Sequence, residues 1–261
     1  VGAVVLSTHE KPLYEEKNVI LISIDSLRRD HMGVYGYPRN TTSAIDAWAK
    51  DALVFDNYFA TSFLTPISEM SVHTGEYPFT NGVTHFTASL KKDSETLAEI
   101  LQKNGWQTVT FSSSPEFVIF PEMAPGFARG YDLIESARAT TTSERLRNRN
   151  ATKQAVEWLR DTRDKDAPFF LWLSLGSVHW PYGQDERYHF TDRRYDGFLK
   201  NTPNAGWQTY GFMYKDTHYD SETYETIGTV TNEDFSFVEG RYDDGIVKTD
   251  RMLRELLTYL K

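Results

Sequence analysis

Three side chains in this sequence have the type and setting to do chemistry: Asp25, Thr65 and His179. Asp25 ends a short apolar run, Val19–Ile24, interrupted only by Ser23. A carboxylate at the C-terminal end of a buried parallel strand stands where open α/β sheets bind ligands; the alternative is a surface Asp that merely closes a strand. Thr65 precedes Pro66, which suits a first helical residue, so Thr65 reads as an N-cap. Most Thr-Pro pairs are caps and nothing more. A hydroxyl there also lies in the positive end of the helix dipole, which would stabilise an alkoxide or hold an anionic oxygen. A nearby metal ion would lower its pKa further and make it a usable nucleophile. Asp25 could supply one ligand, and its oxygen chemistry suits Ca²⁺, Mg²⁺, Mn²⁺ or Zn²⁺ without distinguishing them. His179 follows the apolar run Phe169–Leu175. It either contacts an anionic substrate or is an ordinary loop histidine.

The elements that must position these residues alternate. Val19–Ile24, Trp106–Ser112 and Phe169–Leu175 read as strands. Between and after them lie helices. The first places Ile45, Trp48, Ala49 and Ala52 at helical spacing. The second starts at Thr65–Pro66 and ends at Gly75, with Met70 and His73 on one face. The third is capped by Asp93 or Ser94, buries Leu97, Ile100 and Leu101, and stops at Gly105. The fourth carries Ala155, Trp158 and Leu159. The last runs from Phe237 with Ile246, Leu253, Leu256, Leu257 and Leu260 as its stripe. Leu53–Thr61 alternates and reads as extended, and residues 183–232 as a long irregular excursion. The pattern predicts an α/β fold with a mainly parallel sheet and helices on both faces. No repeat or linker divides residues 1–261, so one domain is expected.

Composition narrows the function. A net charge of −9 argues against non-specific nucleic-acid binding. The sequence has no run near the roughly 18 apolar residues of a membrane span. The absence of cysteine removes disulfides, thiolate metal sites and a cysteine nucleophile. There is no GxGxxG, P-loop, GxSxG or HExxH motif.

Five blocks, in order, resemble the N-terminal part of the sulfatase branch of the alkaline phosphatase superfamily. They are NVILISIDSLRRDHMGVYGYPRNTTSAIDAWAKDALVFDNYFA, PISEMSVHTGEYP, TLAEILQKNGWQTVTF, PFFLWLSLGSVHWPY and YDDGIVKTDRMLRELLTYLK. The resemblance implies that Asp25 is a metal ligand, that Thr65 stands at the nucleophile position and ligates the same divalent ion, and that His179 contacts the substrate anion. It implies an anionic ester substrate, a sulfated glycan or a phosphodiester, and an extracytoplasmic setting. Four departures accompany it, one being Ser112-Ser113-Ser114-Pro115 in place of the sulfate-binding Gly-Lys-Trp-His block. Thr65-Pro66-Ile67-Ser68-Glu69 replaces Cys-x-Pro-Ser-Arg, so formylglycine cannot form and Glu69 replaces the motif's Arg. Ser26 replaces a second Asp. The family's later strand, ending in an Asp-His pair, lies beyond Lys261, so a further segment or a second chain is expected to complete the site. The leading reading is a metal-dependent sulfate or phosphate ester hydrolase with a Thr nucleophile. The rival is an inactive sulfatase-like module that binds a glycan or a protein.

Overall fold

The structure is a computed structural model. It describes residues 17–113, 126–136, 144–176, 178, 179, 182, 190–197, 199, 217–219, 226–229 and 231–261. Four strands form one sheet in the order β1 (Val19–Ile24), β4 (Phe169–Leu175), β2 (Gln107–Ser112), β3 (Leu133–Ser136), all parallel. The helices are α1 (Ser43–Ala49), α2 (Thr65–Thr74), the single turn α3 (Pro78–Asn81), α4 (Leu97–Lys103), α5 (Glu144–Glu157) and α6 (Asn232–Tyr259). A π-helical turn, Trp158–Thr162, closes α5.

Period-two alternation along β4 divides the core between two faces. Phe169, Leu171, Leu173 and Leu175 join Ala151, Ala155 and Val156 of α5 and Ile246, Leu253, Leu256 and Leu257 of α6, with Ile45 and Trp48 of α1 packed alongside. Phe170 and Trp172 enter the opposite layer with Ile67 and Met70 of α2 and Ala98 of α4. Helices therefore cover both faces, as the strand–helix alternation requires, because a parallel sheet must bury both sides. Ile24 pairs with Leu175, and the Asp25 N–H donates to the Leu175 carbonyl at 2.8 Å. The ends of β1 and β4 thus share one edge of the sheet.

Local details differ from the sequence reading. Leu64, not Thr65, is the N-cap of α2; no side chain caps it, and Thr65 is its first helical residue. Thr96, not Asp93 or Ser94, caps α4 in a capping box with Glu99. Ile100 is 44% exposed while Ala98 is fully buried and Leu97 and Leu101 stay packed against the core, so the buried stripe of α4 takes in Ala98 instead of Ile100. Leu53–Thr61 forms no strand and leaves Leu53, Phe55 and Phe59 exposed. Helix α6 begins five residues before Phe237, at Asn232, where Thr231 and Asp234 form a second capping box. Within the expected excursion, β5 (Thr217–Tyr219) pairs antiparallel with β6 (Thr226–Thr229). Most of the rest of that excursion lies outside the described residues.

Candidate active site

The chain leaves β1 at Asp25 and turns immediately. Ser26 adopts φ +61°, a left-handed conformation that costs a non-glycine residue on the order of 1 kcal/mol. A tyrosine from α6 holds the turn. The Tyr242 hydroxyl donates to the Ser26 carbonyl at 2.7 Å and accepts from the Arg28 N–H at 2.9 Å. This latch, reaching 216 residues along the chain, holds the turn that follows Asp25 and has no local sequence signal.

The first turn of α2 faces Asp25. Thr65 Oγ1 lies 3.3 and 3.4 Å from the two Asp25 carboxylate oxygens, and Ser26 Oγ lies 3.3 Å from Oδ1. Freed from capping, the Thr65 hydroxyl points to the carboxylate. The side chain still stands at the positive end of a ten-residue helix. Gly75, with φ +68°, ends α2 in the left-handed conformation that its missing Cβ allows.

One turn further along α2, Glu69 lies on the same face as Thr65. Its Oε2 is buried and has no hydrogen-bond partner. Burial raises its pKa to about 7; the neighbouring Ser23 hydroxyl opposes the shift, and the negative charge of Asp25 adds to it. Asp25, Ser26, Thr65, Ser68 and Glu69 line one cavity of about 490 Å³, with Arg28 among its walls. Phe59, Phe63 and Tyr77 also line it and stay exposed at 80%, 95% and 74%. Arg28 pairs through its guanidinium with Asp30 at 2.6 Å.

The structure therefore brings Asp25 and Thr65 together, 40 residues apart in sequence. His179 follows β4 at the same sheet edge, and its N–H donates to the Gly176 carbonyl at 2.9 Å. It is not among the described residues lining the cavity. His73 is packed, as its place on the apolar face predicts. It stands edge-on to Trp172 at 4.3 Å with Nε2 unpartnered, and burial lowers its pKa to about 4. His31 shows no histidine pairing in sequence, yet Nδ1 meets Asp243 Oδ1 at 2.6 Å.

The donor set at Asp25 is chemically suited to a hard cation. It consists of oxygens, and the contacts to the carboxylate among the described residues are long hydroxyl contacts with no Lys or Arg pairing. Glu69 Oε2 adds an orphaned buried oxygen in the same cavity. Among the described residues no three His, Cys, Asp or Glu side chains cluster as a complete metal site.

Comparison with known proteins agrees with this architecture. An N-acetylglucosamine-6-O-sulfatase of Bacteroides thetaiotaomicron is 29% identical over 199 residues, covering 69% of this chain and 34% of that protein. Human iduronate 2-sulfatase is 24% identical over 197 residues, covering 63% and 36%. The chain spans about a third of the length of these curated relatives. Among solved structures, the phosphonate monoester hydrolase of Agrobacterium radiobacter superposes with a TM-score of 0.62 at 17% identity, covering 94% of this chain and 59% of that one. The C-terminal periplasmic domain of EcEptC from Escherichia coli, in complex with Zn, gives 0.63 at 19% identity, covering 95% and 60%. These likenesses show a shared fold. The sulfatase family profile matches residues 17–261, and with nearly the whole chain matched, this protein belongs to the sulfatase family.

Proposed function

We propose that the protein is a hydrolase of sulfate or phosphate esters in which Thr65 is the nucleophile and Asp25 a ligand of a divalent metal ion. The observation that carries this reading is the Thr65 hydroxyl held 3.3–3.4 Å from the Asp25 carboxylate, at a helix N-terminus beside the C-terminal edge of the parallel sheet. A hard divalent cation bound there supplies charge neutralisation for the ester's non-bridging oxygens. The chain's own residues do the rest. In this reading Asp25 takes the Thr65 Oγ proton as Oγ attacks sulfur or phosphorus in line. The bond to the ester oxygen breaks, and the alcohol leaves with a proton from solvent. Water then attacks the Thr65 ester, releasing sulfate or phosphate and restoring the hydroxyl. The positive end of α2 favours the anionic group throughout. His179, at the same sheet edge, is assigned to the substrate anion. A complete ligand set needs more oxygens than Asp25 and Thr65 supply.

The names of two relatives point to sulfated sugars as the substrate class. The exposed Phe59, Phe63 and Tyr77 around the cavity suit a sugar ring's apolar face. Turnover of aryl sulfate and aryl phosphodiester substrates by wild type, Thr65→Ala and Thr65→Ser tests the assignment. Thr65→Ala should lose at least about 10³-fold in kcat, and Thr65→Ser should keep measurable activity with a covalent ester detectable by intact mass. Equal turnover by wild type and Thr65→Ala would remove Thr65 from the mechanism. A lack of turnover by the wild type with cation bound would instead favour an inert binding module.

A further inference from the structure

We infer that Glu69 is a second carboxylate ligand of the cation held by Asp25 and Thr65. The inference rests on the metal-dependent reading of this cavity and extends it to a residue that reading does not use. Three observations carry it. Glu69 follows Thr65 by four residues on α2, so both side chains lie on one helix face, and both line the cavity that contains Asp25. Glu69 Oε2 is shut off from solvent without a hydrogen-bond partner, a costly arrangement for a carboxylate unless something absent from the protein satisfies it. Glu69 and Asp25 are close enough for their like charges to act on each other, and no Lys or Arg pairs with Asp25 among the described residues. A cation between them reverses the sign of that interaction and satisfies the orphaned oxygen at once. Ser23 and Ser26 contribute only hydroxyls beside these carboxylates, so Asp25 and Glu69 supply the negative charge. An all-oxygen set of two carboxylates and a hydroxyl suits Mg²⁺, Ca²⁺ or Mn²⁺, with water or further protein ligands completing the shell.

The test is calorimetric titration of Mg²⁺, Ca²⁺ and Mn²⁺ into the metal-stripped, full-length protein, with thermal unfolding as an independent readout. Glu69→Gln keeps the side-chain volume and removes the charge. It should weaken cation binding at least about 10-fold and reduce the cation-induced rise in Tm. Ser26 Oγ lies 3.3 Å from Asp25 Oδ1, so Ser26→Asp offers a replacement carboxylate. The double variant Ser26→Asp/Glu69→Gln should recover binding to within a few-fold of wild type. Glu69→Gln binding like wild type, while Asp25→Asn has lost binding, would overturn the inference and leave the metal reading standing. A loss in Glu69→Gln that Ser26→Asp fails to recover would mark a general defect and also overturn it. A wild-type protein that binds none of the three cations would overturn both readings.

Discussion

Helix α6 takes four carboxylates out of water and surrounds each with donors. Asp243 receives His31 Nδ1, the Tyr37 hydroxyl and Arg39 Nη1 at 2.6–2.7 Å. Asp244 receives the N–H groups of Phe190 and Thr191 and the Thr191 hydroxyl. Asp250 receives the N–H groups of Ala44 and Ile45 and so anchors the start of α1. Asp234 receives the Tyr195 hydroxyl and both donors of Thr231. At the C-terminal end of β1 and on α2, Asp25 and Glu69 have long contacts or an orphaned oxygen. The contrast separates two uses of a buried acid. A carboxylate whose lone pairs are filled by the protein holds elements together. One left open carries a desolvation cost that the protein's own donors do not offset.

The contrast can be broken most forcefully at Asp243. Asp243→Ala leaves His31, Tyr37 and Arg39 without their common acceptor in a buried site. Removing one member of such a network should cost about 3–5 kcal/mol, read as a shift in urea midpoint at constant m-value. A loss below about 1 kcal/mol would mean that the network contributes no more than exposed ion pairs do.

A pH titration probes the less satisfied face. Buried His73 is neutral in the fold, its pKa lowered from 6.5 to about 4. The unfolded chain takes up a proton near pH 6.5, so this contribution is fully present above that pH and is lost as pH falls toward about 4. The loss should reach roughly 3 kcal/mol. Glu69, raised to about 7, contributes the opposite slope over the same window, so the His73 contribution is read as the difference in unfolding free energy between wild type and His73→Phe, which should change by roughly 3 kcal/mol between pH 7 and pH 4. An unchanged slope in the variant would assign the pH dependence to other groups.

The smallest effect compares two threonines. Thr96 caps α4 through the Glu99 N–H, so Thr96→Ala should cost about 1 kcal/mol. Thr65 makes no cap bond, and Thr65→Ala should change stability by less than about 0.5 kcal/mol while turnover collapses. Equal destabilisation by the two would return Thr65 to a structural role.

Much of the fold was legible because it is written in short-range periodicity. Val19–Ile24 and Phe169–Leu175 are uninterrupted enough to require burial on both faces, and the stripe from Ile246 to Leu260 could only be a helix. Cap positions were less legible. Asp93, Ser94 and Thr96 are all competent caps, and the choice fell to Thr96 because Glu99 completes its box and Arg129 braces Glu99. Likewise, Thr65 looks like a cap locally. Only the approach of β1 shows that its hydroxyl faces a carboxylate instead.

The sequence by itself determined the α/β class, the family and the candidacy of Asp25 and Thr65, because strand and helix periodicity and ordered motifs are properties of neighbouring residues. Tertiary structure alone decided which acids are filled and which are open. Whether Asp243 is satisfied depends on His31, Tyr37 and Arg39, more than 200 residues away, and whether Glu69 is orphaned depends on what the sheet brings beside it. A carboxylate carries the same letter in both settings. Its role is set by the donors within about 3 Å, and those come from the packing of distant elements.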